Sequence, residues 1–274
     1  MNICSSTKFL FILTSATKLE DRFLYDAQLF IKIIQHKGVN LSNVVIATDE
    51  QESIVLAKCP LMHGVKFITS SQLISTIKTI DDDNLIILAD CHGSIKGIDS
   101  KSPIMPYSLT DALKSNSSLK NIVVFFGQCY AGIYNWVDVR KDNTNIVYIG
   151  ATGFNSSFSY CVGGIKWFAN ISLVAFGNWL LNPTDIDGDG MFSVMDLYKY
   201  IAWFTNKITD DIEKENTSHL IDAKMELKQA RDKGDNTLML QLEKEAIKVM
   251  EHYIVPHQNP WLLNSISAQK ITFD

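Results

Sequence analysis

Residues 84–94 read Asn84-Leu-Ile-Ile-Leu-Ala-Asp-Cys-His-Gly-Ser94, and residues 121–132 read Asn121-Ile-Val-Val-Phe-Phe-Gly-Gln-Cys-Tyr-Ala-Gly132. Each is a near-continuous apolar run that ends in small and reactive residues. A strand with one wet face alternates apolar with polar side chains, whereas a strand covered on both faces does not. Asn84–Ala89 and Ile122–Phe126 are therefore expected to be buried strands of a mostly parallel sheet packed between helices.

Working outward, apolar runs alternate with helical spacing, the pattern of βαβ units. Phe9–Thr14, Val44–Ala47, Val65–Thr69 and Asn145–Gly150 read as further strands. Residues 20–37 place Phe23, Leu24, Ala27, Phe30, Ile31 and Ile34 on one helical face, with Gly38 as the stop. Ser70–Ser71 caps a short helix carrying Leu73, Ile74 and Ile77, and a second short helix starts at Ser108. Residues 163–181 are expected to form one buried helix. From Lys207 to His252 the chain is dense in charge, with helical apolar spacing and a break at Gly234-Asp-Asn236. This predicts a solvated helical hairpin. Ile266–Phe273 is expected to close the sheet as an edge strand. The expected fold class is an α/β three-layer α/β/α sandwich with a mostly parallel sheet plus a C-terminal helical hairpin. Its divisions fall at 1–206, at 207–252 for the hairpin, and at 253–274 for a segment returning to the first domain.

Composition narrows the function classes. The chain has 274 residues, 46% hydrophobic and 20% charged, with a net charge of −5. That supports a sizeable core and excludes a disordered chain. An acidic balance without long basic runs argues against nucleic acid as a partner. The apolar run after Lys8 is too short for a secretory signal, and 162–181 is interrupted by Lys166, Asn170 and Asn178, so no membrane partner is expected. A cytoplasmic location is the default expectation. Five widely spaced cysteines without a C-x-x-C pair read as reduced thiols, any of which could react.

In open parallel sheets ligands collect at the carboxyl ends of strands. There this sequence delivers His92-Gly93 and Cys129. A thiol titrates near 8.5 when unperturbed. A neighbouring imidazole and turn amides make it a nucleophile, and the imidazole then protonates a leaving amine. The amides of Gly93 and Cys129 are candidates for binding a developing oxyanion. Cys91, as the sequence neighbour of His92, is expected to face the other way, and Cys161 to be structural.

An apolar block ending His-Gly, followed by an apolar block ending x-Cys, resembles the caspase-like (clan CD) cysteine peptidases. Three segments are similar to their legumain-like branch, peptidase family C13. These are Asp21-Arg-Phe-Leu-Tyr-Asp-Ala27 with Ile33, Ile34 and Gly38, then Cys129-Tyr-Ala-Gly132, then Ala151-Thr-Gly-Phe-Asn-Ser-Ser-Phe-Ser159. The resemblance covers about residues 8–182. It implies a caspase-like sandwich and a cysteine endopeptidase that needs no cofactor for its chemistry. Cys129 would be the nucleophile and His92 the acid–base, with Gly93 in the oxyanion hole. Arg22, Gln128, Ser156 and Ser157 would bind a peptide or protein substrate. The branch's acid two residues before the nucleophile is replaced by Gly127, a second pocket acid falls at Gly163, and the asparagine that supports the histidine falls at Glu20. Arginine without flanking carboxylates is an uncompensated cation, so the expectation is cleavage after Asp or Glu rather than Asn. The alternatives are a transamidase or peptide ligase of the same fold, and an inactive calcium-binding interaction module.

Asp185-Ile-Asp-Gly-Asp-Gly-Met-Phe-Ser-Val-Met-Asp196 fits an EF-hand loop. Asp185, Asp187 and Asp189 stand at positions 1, 3 and 5, the Met191 carbonyl at 7, Ser193 at 9 and Asp196 at 12. A structural calcium ion is expected there. Asp196 in place of glutamate shortens the reach and opens the site to magnesium.

Overall fold

The structure, a computed structural model, describes residues 1, 6–234, 237–242 and 258–273. In chain order its elements begin β1 (Thr7–Ile12), α1 (Asp21–His36), β2 (Val44–Ala47), α2 (Glu52–Lys58), β3 (Lys66–Ile68) and α3 (Leu73–Lys78). Then come β4 (Asn84–Ala89), β5 (Gly93–Ser94), β6 (Gly97–Ile98), α4 (Pro106–Ser115), β7 (Asn121–Phe126) and β8 (Asn145–Gly150). The rest are β9 (Ser159–Tyr160), β10 (Ala169–Asn170), α5 (Ile171–Leu181), α6 (Val194–Asp232), β11 (Trp261–Leu263) and the helix Ser265–Lys270. By internal contacts the chain divides into two compact units, Met1–Trp203 with Gln258–Asp274, and Phe204–His257.

The seven-stranded sheet of the first unit runs β11-β8-β7-β4-β1-β2-β3. Every neighbouring pair is parallel except β11 with β8. The chain lays β2 and β3 to one side of β1 and then returns to place β4, β7 and β8 on the other. The order therefore reverses at β1, which opens a crevice at its carboxyl end. The strands are apolar throughout because both faces are covered. On one face Leu10, Ile87 and Val124 pack with Leu73 and Ile77 of α3 and Leu109 and Leu113 of α4. On the other, Phe11 meets Phe30 of α1 at 5.9 Å and Phe125 meets Phe176 of α5 at 5.8 Å between ring centroids. Each such buried side chain contributes about 1.5–3 kcal/mol. The result is the α/β three-layer sandwich expected from the two apolar blocks.

Besides α2 and the β5–β6 pair, which were not expected, and α4, which starts at Pro106 rather than Ser108, three expected elements are placed differently. The buried helix starts at Ile171 rather than at 163, because Ala169 and Asn170 pair with Ser159 and Tyr160 as a small hairpin and the Asn170 side chain caps the helix. The edge strand is Trp261–Leu263, antiparallel to β8, and residues 265–270 are helical, capped by Asn264. Residues 207–232 belong to the helix that begins at Val194. Part of the expected second arm, 243–252, lies outside the described residues.

Candidate active site

Strands β4 and β7 are register neighbours, Ala89 opposite Phe126, so the segments leaving them emerge side by side. His92 and Cys129 line one cleft with Arg22, Phe23, Gly127, Ser157, Ser159 and Asn170. The enclosed volume is about 20 Å³, room for about one water. The two segments touch: a Cβ on Gly93 would lie 2.3 Å from Gln128 Cγ and 2.4 Å from the Cys129 carbonyl oxygen, so only glycine fits beside the histidine.

Cys129 is partly exposed, and its Sγ accepts the Ser157 N–H at 3.4 Å. Tyr130, next to it, takes a left-handed turn (φ 56°), and its N–H donates to the Asn155 carbonyl at 2.9 Å. This ties the turn that follows Cys129 to the loop after β8. Successive residues of an extended segment face opposite sides. While Ser157 faces the thiol, the Ser156 carbonyl accepts from Gln258 Nε2 and the Phe158 N–H donates to Gln258 Oε1, both at 3.2 Å. Gln258 thus holds the loop from behind and leaves the edge of Ser157 toward the cleft. Ser156, expected to bind substrate, does not line the cleft. Gln128, expected to bind substrate, is instead buried against Gly93, and its amide atoms have no hydrogen-bond partner among the described residues. Cys91 is fully buried, and burial pushes its thiol well above the ordinary range, which makes it a poor nucleophile.

His92 Nε2 and Glu20 Oε1 are 2.6 Å apart, and the imidazole meets the edge of Phe23 at 5.2 Å. Arg22 Nε donates to Glu20 Oε2 at 2.6 Å, and Arg22 Nη1 to Ser159 Oγ at 2.8 Å. The Arg22 guanidinium, more than His92, holds the Glu20 carboxyl below its usual range against partial burial. This corrects the premise of an uncompensated arginine. The carboxylate comes from two residues earlier in the chain, at a position the resemblance assigned to support of the histidine.

Behind the cleft lies a group that the sequence reading missed. Asn170 Nδ2 donates to Asp90 Oδ1 at 3.1 Å and to the Gly127 carbonyl at 2.9 Å. Its backbone N–H reaches Asp26 Oδ2 at 2.9 Å, and Trp167 Nε1 reaches Asp26 Oδ1 at 2.6 Å. Burial raises both carboxyls, Asp90 well above its ordinary value with the neighbouring Asp26 adding to the shift. An acid at position 127 has no room, since a Cβ there would lie 2.5 Å from Asn170 Nδ2. Gly163, the other expected pocket position, does not line the cleft. The signal for Asn170 was its place before an apolar helical run, hidden by reading that run from 163.

In the loop 185–196, ligand atoms of Asp185, Asp187 and Asp189 lie within 4.8 Å of one another. Asp185 accepts from the amides of Gly188 and Gly190, Asp189 from that of Met191, and Asp187 pairs with Lys199 at 2.9 Å. These three suit a hard cation. Ser193 and Asp196 are fully buried and engaged with each other. Asp196 Oδ2 accepts the Ser193 hydroxyl at 2.7 Å and the Ser193 N–H at 3.0 Å, and Oδ1 accepts the Ile186 N–H at 2.9 Å. As placed, both Asp196 oxygens are taken up by these donors, and the Ser193 hydroxyl accepts the Asp196 N–H as a cap of α6.

No family model and no curated protein matches the sequence. Among solved structures the chain is similar to the crystal structure of drICE, at 11% identity and a TM-score of 0.42, over 72% of this chain and 81% of that one. Among the described residues, no helix is long and apolar enough to cross a membrane.

Proposed function

We propose that the chain is a cysteine endopeptidase of the caspase-like kind. One observation carries the reading: a partly exposed thiol, an imidazole and an arginine line a single cleft at the ends of adjacent parallel strands. Cys129 gives its proton to His92, and the sulfur bonds to a substrate carbonyl carbon. The oxygen takes up the charge, facing the amides of Gly93 and Cys129. The C–N bond then breaks as His92 returns the proton to the departing amine. In the second half His92 takes a proton from water, the hydroxide attacks the thioester, and the sulfur leaves to be reprotonated. The substrate strand pairs with the edge of Ser157 by strand addition. Arg22 has five N–H donors, of which Glu20 and Ser159 take two. An acidic side chain at the cleaved residue is accommodated by taking the place of Glu20 on the guanidinium, with the remaining donors completing the pair.

The three segments that resemble the legumain-like branch favour kinship with it, with Gly127 marking the departure. Acyloxymethyl-ketone reagents carrying Asp, Asn or Arg, on wild type and Cys129→Ala, test the assignment. Labelling of wild type alone, fastest with Asp, is expected. Equal labelling of both proteins would remove the nucleophile, and a preference for Asn or Arg would remove the acidic specificity.

The same reading gives loop 185–196 a structural calcium ion, held by Asp185, Asp187, Asp189 and the Met191 carbonyl, with magnesium as the competitor. Asp196 joins only by leaving its cap. Calorimetric titration should show heat with calcium and a raised melting temperature. Absence of both would dismiss the ion.

A further inference from the structure

Glu20 occupies the N-cap position of α1, yet its side chain makes no capping bond to that helix. A carboxylate there is usually drawn to the free amides of the first turn. Here one oxygen is on His92 and the other on Arg22, both at 2.6 Å. Phe23 packs against both, with the guanidinium carbon 4.0 Å from its ring centre and the imidazole perpendicular to its ring at 5.2 Å between centroids. The side chain that reads the substrate and the one that moves the proton thus share a single anion.

We infer that Glu20 is a positioning residue that couples occupancy of the Arg22 pocket to the state of the His92 imidazole. The inference rests on the peptidase reading and extends it to how the site is switched on. In the free protein Glu20 divides its two oxygens between the Arg22 guanidinium and the His92 imidazole. An acidic substrate side chain docking on Arg22 draws the guanidinium away, and Glu20 then serves His92 alone. With Nε2 held by that carboxylate, Nδ1 is the nitrogen left to exchange a proton with Cys129. An undivided carboxylate favours the imidazolium and with it the thiolate. An acidic substrate would therefore raise its own turnover number as well as its affinity. A neutral amide of the same shape would leave Glu20 divided. The other titratable groups toward this point are Cys129 and Cys91 on the strand ends, with Asp26 and Asp90 buried behind.

Two measurements test this, one independent of activity. The first follows the His92 ring by NMR titration, assigned with His92→Gln, in wild type, Arg22→Gln, Glu20→Gln and the double variant. Glu20 is exposed and caps nothing, so Glu20→Gln should fold normally. Removing Arg22 should raise the midpoint by about one pH unit, and by less than half that in the Glu20→Gln background. Equal shifts in both backgrounds would mean simple repulsion between Arg22 and His92, which overturns the coupling.

The second compares matched Asp and Asn reporter peptides. In wild type kcat should favour Asp by about tenfold, the population change made by one pH unit. In Glu20→Gln that kcat ratio should fall to near one, while KM for the Asp peptide drops because no carboxylate competes for Arg22. The acid limb of the pH profile should move down, and Glu20→Asp should restore part of the ratio. An unchanged kcat ratio and pH profile would refute the coupling. An unlabelled Cys129 with no turnover would instead remove the peptidase reading, and the imidazole titration would still decide whether Glu20 couples Arg22 to His92.

Discussion

The strand-end cleft and the acidic loop 185–196 both gather charged side chains, by opposite means. The loop draws its aspartates from a few consecutive residues and steadies them with its own amides, those of Gly188, Gly190 and Met191. The cleft draws Glu20, Arg22 and Asp26 from the start of α1, Asp90 and His92 from the end of β4, Cys129 from the end of β7 and Asn170 from the cap of α5. Only the sheet brings these together. The consequence is electrostatic. Asp26 and Asp90 are desolvated and pushed toward the protonated form, while Asp187, exposed, is held in the charged form by Lys199. A site made by local spacing can respond to an ion without disturbing the core. A site made by topology has its chemistry and its stability in the same hydrogen bonds.

The largest expected effect separates chemistry from scaffold. Cys129→Ala should lower turnover of a cleaved peptide by at least about 10⁴-fold, as loss of a nucleophile does elsewhere. Its urea midpoint should stay near wild type, since among the described residues the hydrogen bond to the thiol is a long one, from the Ser157 N–H. Activity surviving in Cys129→Ala would put the chemistry at another residue and leave the cleft a binding surface.

Next comes Asn170→Ala, which attacks the cleft through its support. The change removes the cap of α5, about 1 kcal/mol. It also leaves the Gly127 carbonyl and Asp90 Oδ1 without that donor, about a further 1–3 kcal/mol. Urea denaturation should show a total loss of about 2–4 kcal/mol, with turnover falling because the Gly127 carbonyl is two residues from Cys129. A loss no larger than that of a simple cap would mean that the buried acids find other partners.

These two variants mark what could be read from the chain and what could not. The apolar blocks 84–89 and 121–126 gave the parallel sheet because desolvation on both faces leaves a composition signal within each strand. Cys129 and His92 were legible for the same reason, sitting where such blocks stop, and the sheet does bring them to one cleft. The loop aspartates were legible from spacing alone. The pairing of Glu20 with Arg22 was not legible, because it depends on how the chain enters α1, which no period in the sequence encodes. Gln128 was misplaced for a related cause. Adjacency to the nucleophile in sequence implied adjacency to substrate, whereas the close approach of Gly93 turns that side chain into the protein. Asn170, Asp26 and Asp90 escaped because polar residues within apolar stretches look like interruptions until their partners, some 80 to 144 residues away, are seen. The edge strand was misplaced since Trp261–Leu263 and Ile266–Phe273 are both short and apolar, and only pairing with β8 separates them.

Asp90 gives a third, smaller test through pH. Its carboxyl is raised well above the ordinary 3.8, mainly by burial. A carboxyl whose folded value lies above its unfolded value stabilises the fold fully below the unfolded value. That contribution is lost as pH climbs from there through the folded value. Wild type should therefore lose more unfolding free energy between pH 4 and pH 8 than Asp90→Asn, by about 1–3 kcal/mol. The variant amide can still accept from Asn170, so it should be the more stable protein at pH 8. Parallel urea titrations across that range decide it. A wild type that loses no more than the variant would mean that the pair carries its full charge in the fold, and the contrast with the exposed loop would vanish.

The smallest effect belongs to the loop. Ser193→Ala removes the hydroxyl that donates to Asp196 Oδ2 and accepts from the Asp196 N–H, the reciprocal cap of α6. Without metal the cost should be about 1 kcal/mol by urea denaturation, less than that of Asn170→Ala because only local partners are released. With saturating calcium the outcome depends on Asp196. If that side chain swings from the cap to the ion, the cap no longer exists in the bound form, and Ser193→Ala should then cost less than it does without metal. If the cost is unchanged while calcium still binds, the ion is held by the three upstream aspartates alone. A cost equal to that of Asn170→Ala would mean that a local cap can hold as much of the fold as a buried network does, and the distinction between the two regions would fail on stability even if it held on chemistry.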